Sequence, residues 1–113
     1  MVAIGRTRYI RMSPKKLRLI VDVLKGQSAQ KALQFLPLQI TRSSYITEKT
    51  LKQAVANALS ESSNLDEEDL FISNIYVDKA NHLPRFRSGA QGRIKPIKHR
   101  YSHLTIELDS FKR

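Results

Sequence analysis

The sequence predicts an α+β fold: a strand, three helices, a second strand, a long basic arm and a last strand. Three observations carry this prediction. Apolar residues recur at helical spacing in three segments between residues 14 and 59. Residues 101–109 alternate between two faces, as a half-buried strand does. Residues 79–100 show no helical stripe, hold seven cations and no acid, and join two β-rich segments.

Residues 3–12 (AIGRTRYIRM) mix β-branched, aromatic and Arg residues, which predicts an edge strand. Ser13-Pro14 is a helix start: the Ser hydroxyl can accept from an orphan N–H, and Pro at the first helical position loses no bond. Leu17, Ile20, Val21 and Leu24 then form one apolar stripe, and Gly26 is the expected stop. Ser28 caps a short second helix whose Ala29, Ala32, Leu33 and Leu36 share a face, and Pro37 ends it. A third helix is predicted to begin between Thr41 and Ser44. Leu51, Ala54, Val55 and Ala58, with Ile46 before and Leu59 after, mark its buried stripe. The small residues Ala54, Ala56 and Ala58 point to close packing on another element. SSNLDEED (62–69) is a polar turn. Residues 70–78 (LFISNIYVD) are β-rich. Ser102, Leu104, Ile106 and Leu108 share the core face of the last strand, which is expected to pair antiparallel with 70–78.

The chain has 113 residues, enough for one domain. It divides into a body (1–78 and 101–113) and an arm (79–100). Cysteine is absent, which removes disulfide, zinc-thiolate and thiol chemistry. No run approaches the roughly 18 apolar residues of a membrane span. The first residues do not read as a signal or transit peptide, so the chain is expected to act where it is made.

The net charge of +10 is segregated. Residues 1–25 sum to +6, residues 26–78 to −3 and residues 79–100 to +7. Two basic blocks flanking an acidic middle suit a protein that docks a polyanion with two of its parts. The first block offers Arg6, Arg8, Arg11, Lys15, Lys16 and Arg18. Cations at a helix start oppose its dipole, so Lys15, Lys16 and Arg18 are expected to serve a partner. The arm offers Arg85, Phe86, Arg87, Gln91, Arg93, Lys95, Lys98, His99 and Arg100. Arg85-Phe86-Arg87 interleaves guanidinium and ring, which suits phosphate clamping with base stacking. Gly89 and Gly92, with the small Ser88 and Ala90, let backbone approach a crowded surface. Two plainer readings stand beside these: a solvated loop for the arm, a solvated charged surface for the first block.

No catalytic constellation is present. The chain has no phosphate-binding Gly-rich loop, no nucleophile elbow and no Cys–His pair. His99 and His103 would stand roughly 13 Å apart on a strand, too far to share a metal. The run Asp66, Glu67, Glu68, Asp69 lacks the calcium-loop pattern and reads as a solvated turn. An enzyme is not expected, and neither is a cofactor or a metal.

RYIRMSPKKLRLIVDVLKG (8–26), KTLKQAVANA (49–58), IYVDKA (75–80), AQGR (90–93) and KHRYSHLTI (98–106) resemble, in order and nearly full length, the large-subunit ribosomal protein L twenty-two family in its bacterial and organellar form. The resemblance implies three helices packed on a small three-stranded antiparallel sheet, with a long protruding β-hairpin arm. It implies a structural constituent of the large ribosomal subunit that binds large-subunit rRNA and supports its assembly. It also implies that the hairpin tip (Pro84, Arg85, Phe86, Arg87, Ser88, Gly89, Ala90, Gln91, Gly92, Arg93) lines the nascent-peptide exit tunnel. By position, Arg8 to Arg18 match the family's basic strand and helix start. Arg85, Ala90, Gly92, Arg93, Lys98, Arg100, Ser102 and His103 match its arm. The tip departs from relatives in having Ser88-Gly89 where Pro-Arg is frequent, and Pro84 where a basic residue is frequent. The implied partners are rRNA, neighbouring ribosomal proteins and, transiently, the nascent polypeptide, with no membrane and no small-molecule substrate. The implied location is a ribosome in a bacterial cytoplasm or a plastid stroma, the plastid slightly favoured.

Two other classes compete. A duplex-DNA binder would use the helix that starts at Pro14, with Lys15, Lys16 and Arg18. An anionic-membrane binder would want more large apolar residues beside the charge than Leu83, Phe86, Ile94 and Ile97.

Overall fold

A computed structural model describes residues 3–61, 64–80, 83–88, 90–92 and 94–111. Strand β1 (Ala3–Ile10) leads to helix α1 (Pro14–Leu24), helix α2 (Ala29–Phe35) with a 3-10 turn at Leu36–Leu38, and helix α3 (Arg42–Glu61). A 3-10 turn at Glu67–Asp69 precedes strand β2 (Leu70–Lys79). Strands β3 (Leu83–Ser88) and β4 (Ile94–His99) form the hairpin, and β5 (Ser102–Ser110) closes the fold. The expected α+β class, three helices and three-stranded sheet are all present. The sheet runs β1-β5-β2, with both pairings antiparallel. The last strand is therefore the central one, and β1 is an edge, as expected.

The helices cover one face of this sheet. Leu17, Val21 and Leu24 of α1, Ala29 and Ala32 of α2, and Leu51, Ala54 and Ala58 of α3 meet Ile72, Leu104, Ile106 and Leu108 in one core. Gly5 is where α3 lies closest to β1. A Cβ there would stand 2.6 Å from the Thr50 carbonyl oxygen and 2.8 Å from Ala54 Cβ. The third helix departs from its predicted stripe in two ways. Leu59 and Ala56 are exposed, while Ser44, Thr47 and Thr50 are buried. Their hydroxyls are satisfied locally: Thr47 Oγ1 donates to Ser43 O, Thr50 Oγ1 to Ile46 O, and Ser44 Oγ accepts from Thr41 Oγ1. A helix can bury hydroxyls when the carbonyl four residues back accepts from them.

The two helix starts differ. Ser28 caps α2 through its side chain, accepting from the Lys31 N–H at 3.2 Å. Ser13 makes no side-chain cap bond, contrary to expectation. Its backbone carbonyl takes the first N–H groups instead, those of Lys16 and Leu17. Gly26 stops α1 at φ +83°, a conformation only glycine adopts without strain. The link after α1 then pairs with β2: Gly26 N–H donates to Ile72 O, and Ile72 N–H to Gln27 O. These bonds occupy the outer edge of β2 and fix α1 and α2 against the sheet. The outer edge of β1 is held by α3, through Arg6 N–H to Gln53 Oε1 and Asn57 Nδ2 to Ile4 O. Covered edges do not recruit further strands.

The hairpin is a separate two-stranded sheet in register Leu83 with His99 through Ser88 with Ile94. Both its strands are edges, so Pro84 and Pro96 fit where a sheet interior would exclude them. Gln91 and Gly92 adopt φ 58° and 75° and make the turn. The molecule extends 66 Å along its long axis and 26 and 17 Å across it.

Candidate nucleic-acid interface

The two basic blocks are remote in sequence and meet at the root of the hairpin. Four contacts do this. Ser102 Oγ donates to Met12 O at 2.6 Å, and Ile10 is the register partner of Ser102. Arg18 Nη2 donates to Val77 O at 3.1 Å. Tyr9 N–H donates to His103 Nδ1 at 3.1 Å. The β1–α1 segment is thereby seated on the strand ends from which β3 and β4 leave.

The sequence explains why the Ser102 and Tyr9 contacts form. Ser102 lies on the core face of β5 beside Leu104, is fully buried, and needs an acceptor for its hydroxyl. The Met12 carbonyl, between β1 and α1, is that acceptor. At Tyr9 the β1–β5 register shifts, and Tyr9 takes a positive φ of 56°. A bulge leaves an N–H without a ladder partner. The imidazole of His103 supplies one and stacks edge-to-face with the Tyr9 ring at 4.8 Å and 87°.

Arg6, Arg8, Arg11, Lys15, Lys16, Arg18 and Arg100 are all exposed around this junction. Arg18 stays exposed although one of its donors is bound to Val77 O. Arg6 and Arg8 stand together on the free face of the sheet, as the strand alternation predicted. With Tyr9, Tyr76, Asp78, His103, Leu104 and Thr105 they line a pocket of about 270 Å³. Tyr9, Tyr76 and Asp78 were not among the sequence candidates. The available signal was strand alternation in 70–78, which puts Tyr76 and Asp78 opposite the core face.

In the hairpin the register sets Arg85 opposite Ile97, Phe86 opposite Pro96, Arg87 opposite Lys95 and Pro84 opposite Lys98. Like charges directly opposite destabilise a ribbon that is already marginal alone. His99 pairs with Leu83 at the root. Ser88 ends β3; Ala90, Gln91 and Gly92 form the turn region, and Gln91 is exposed. Gly89 and Arg93, both predicted at the tip, lie outside the described residues.

Known proteins agree on one family. The family model described as ribosomal protein L22p/L17e matches residues 5–109. The large ribosomal subunit protein uL22 of Syntrophus aciditrophicus is 43% identical over 109 residues, which covers 96% of this chain and 98% of that protein. Its counterpart in Desulfosudis oleivorans is 43% identical over 101 residues, covering 89% and 87%. That of Solibacter usitatus is 39% identical over 104 residues, covering 92% of each. The chain therefore belongs to the ribosomal protein L22p/L17e family and is a structural protein of the large ribosomal subunit, not an enzyme.

Proposed function

We propose that the chain binds large-subunit rRNA through the hairpin and the basic surface at its root, and that this binding supports subunit assembly. The observation that carries the proposal is the convergence of the two basic blocks, through Ser102–Met12, Arg18–Val77 and Tyr9–His103. One rigid junction can then neutralise phosphates from RNA segments that would otherwise repel each other. Recognition is by RNA shape and phosphate placement. Arg6, Arg8, Arg11, Lys15, Lys16 and Arg18 serve the body contact. Arg85, Phe86, Arg87, Gln91, Arg93, Lys95, Lys98, His99 and Arg100 serve the arm.

The hairpin tip, residues 84–93, is proposed to line the nascent-peptide exit tunnel and touch the growing chain transiently. The 66 Å long axis and the narrow two-stranded arm support that role. Other ribosomal proteins of the large subunit are its neighbours. The ribosome concerned is that of a bacterial cytoplasm or a plastid stroma, and the three relatives named above are bacterial.

Sucrose-gradient fractionation at low and then high salt tests the reading. The chain is expected to track the large subunit and to resist moderate salt. Recovery at the top of the gradient, or with DNA, overturns it.

A further inference from the structure

Resting on the RNA-binding reading above, we infer that the pocket on the free face of the sheet holds one unpaired RNA base, and that Asp78 selects guanine there. The register lines up Arg6, Thr105 and Tyr76 in one row across β1, β5 and β2. The next row pairs His103 with Asp78, and the bulge brings Tyr9 beside it. Thr105 is 5% exposed and forms the floor. The volume, about 270 Å³, falls below the roughly 300–1,000 Å³ of a drug-sized ligand pocket. It suits one ring system rather than a stretch of strand.

The lining has the chemistry of a base site rather than of a phosphate site. Tyr9 is 67% exposed although its backbone and ring are both held by His103. An exposed aromatic ring that is already fixed can stack a base with little further ordering. Arg6 and Arg8 beside it can take the flanking phosphates. Asp78 is the odd member. A carboxylate repels phosphate, so a pocket built for phosphate alone is weakened by it. It attracts instead a base edge rich in donors. Guanine presents two adjacent donors, N1–H and N2–H, to two carboxylate oxygens. Uracil presents one donor between two carbonyls and is disfavoured, while adenine and cytosine each offer one amino group beside an acceptor. The His103 Nδ1 accepts from Tyr9, so the ring proton sits on Nε2, a donor of the kind the guanine O6 accepts.

The test uses the full chain and uridine-rich single-stranded RNA probes that differ only in one central base, read by fluorescence anisotropy. The guanine probe is expected to bind about tenfold more tightly than the all-uridine probe, the range one bidentate base contact provides. Asp78→Asn is expected to abolish that preference. Tyr9→Leu is expected to weaken every probe while leaving the salt dependence unchanged. Circular dichroism checks that each variant is folded. Equal binding of all four probes by the parent chain overturns the inference, and so does a guanine preference that survives Asp78→Asn. Gradient fractionation of the same proteins separates the two readings. A chain that joins the large subunit but discriminates no base refutes the pocket alone. A chain that does not join it refutes the rRNA reading itself.

Discussion

Arg18 of α1 reaches across 59 residues of sequence to donate from Nη2 to the Val77 carbonyl oxygen on β2. Val77 lies two residues before the end of β2, the strand that leads into the hairpin. A cation read from the sequence as a partner-facing charge is thus also a structural tie. It joins the first basic block to the root of the second.

Loss of that tie is expected to lower stability as well as RNA binding. Arg18→Ala is predicted to reduce unfolding free energy by about 1–2 kcal/mol, at or below the roughly 1.5–3 kcal/mol of a hydrogen bond to a charged group because Arg18 is exposed. Urea denaturation measures it. An unchanged midpoint would show that Arg18 serves the partner only.

Gly5 has no room for a side chain. Gly5→Ala places a Cβ within 2.9 Å of the Ala54 backbone nitrogen and nearer still to the Thr50 carbonyl oxygen. Overpacking of this kind costs about 1–3 kcal/mol. Thermal unfolding should show a lowered midpoint, and unchanged stability in this variant would contradict the close approach of α3 to β1.

Ser102→Ala removes the donor to Met12 O inside the body and leaves that carbonyl short of a partner. The expected loss is about 1–3 kcal/mol. Because the bond seats the β1–α1 segment, hydrogen exchange at Met12 and Ser13 should rise more than at Ile106, which lies in the core of β5. Uniform exchange across both regions would refute a local seating role.

Salt dependence reports how many phosphates are met. With about 7–10 contacts, log K for rRNA is expected to fall with log salt at a slope of roughly −6 to −9. Replacing Arg85, Arg87 and Arg93 together by Ala should flatten that slope by about 3 and reduce the yield of assembled subunits. Normal subunit yield from the triple variant would count against an arm-borne contribution.

The sequence by itself determined the element order and the distribution of charge. Pro14, Gly26 and Pro37 punctuate the helices through backbone geometry that depends on neighbours only. The alternation at Leu104, Ile106 and Leu108 encodes a core face directly. The same local logic erred where a neighbour across space decides the outcome. Leu59 is exposed although β1 runs beside that end of α3, where Ala58 is buried and Asn57 bonds Ile4 O, whereas Thr50 is buried because its hydroxyl meets Thr7 of β1. Tertiary structure alone placed β5 at the centre of the sheet, since strand order depends on which edges meet and not on which residues form strands. It also closed the Tyr9–His103 and Arg18–Val77 contacts, which no local periodicity encodes. Charge segregation is a one-dimensional property that the chain carries in its residues. The convergence of its two basic blocks at one junction is a three-dimensional one, set by antiparallel pairing that lays β1 and β2 on either side of β5.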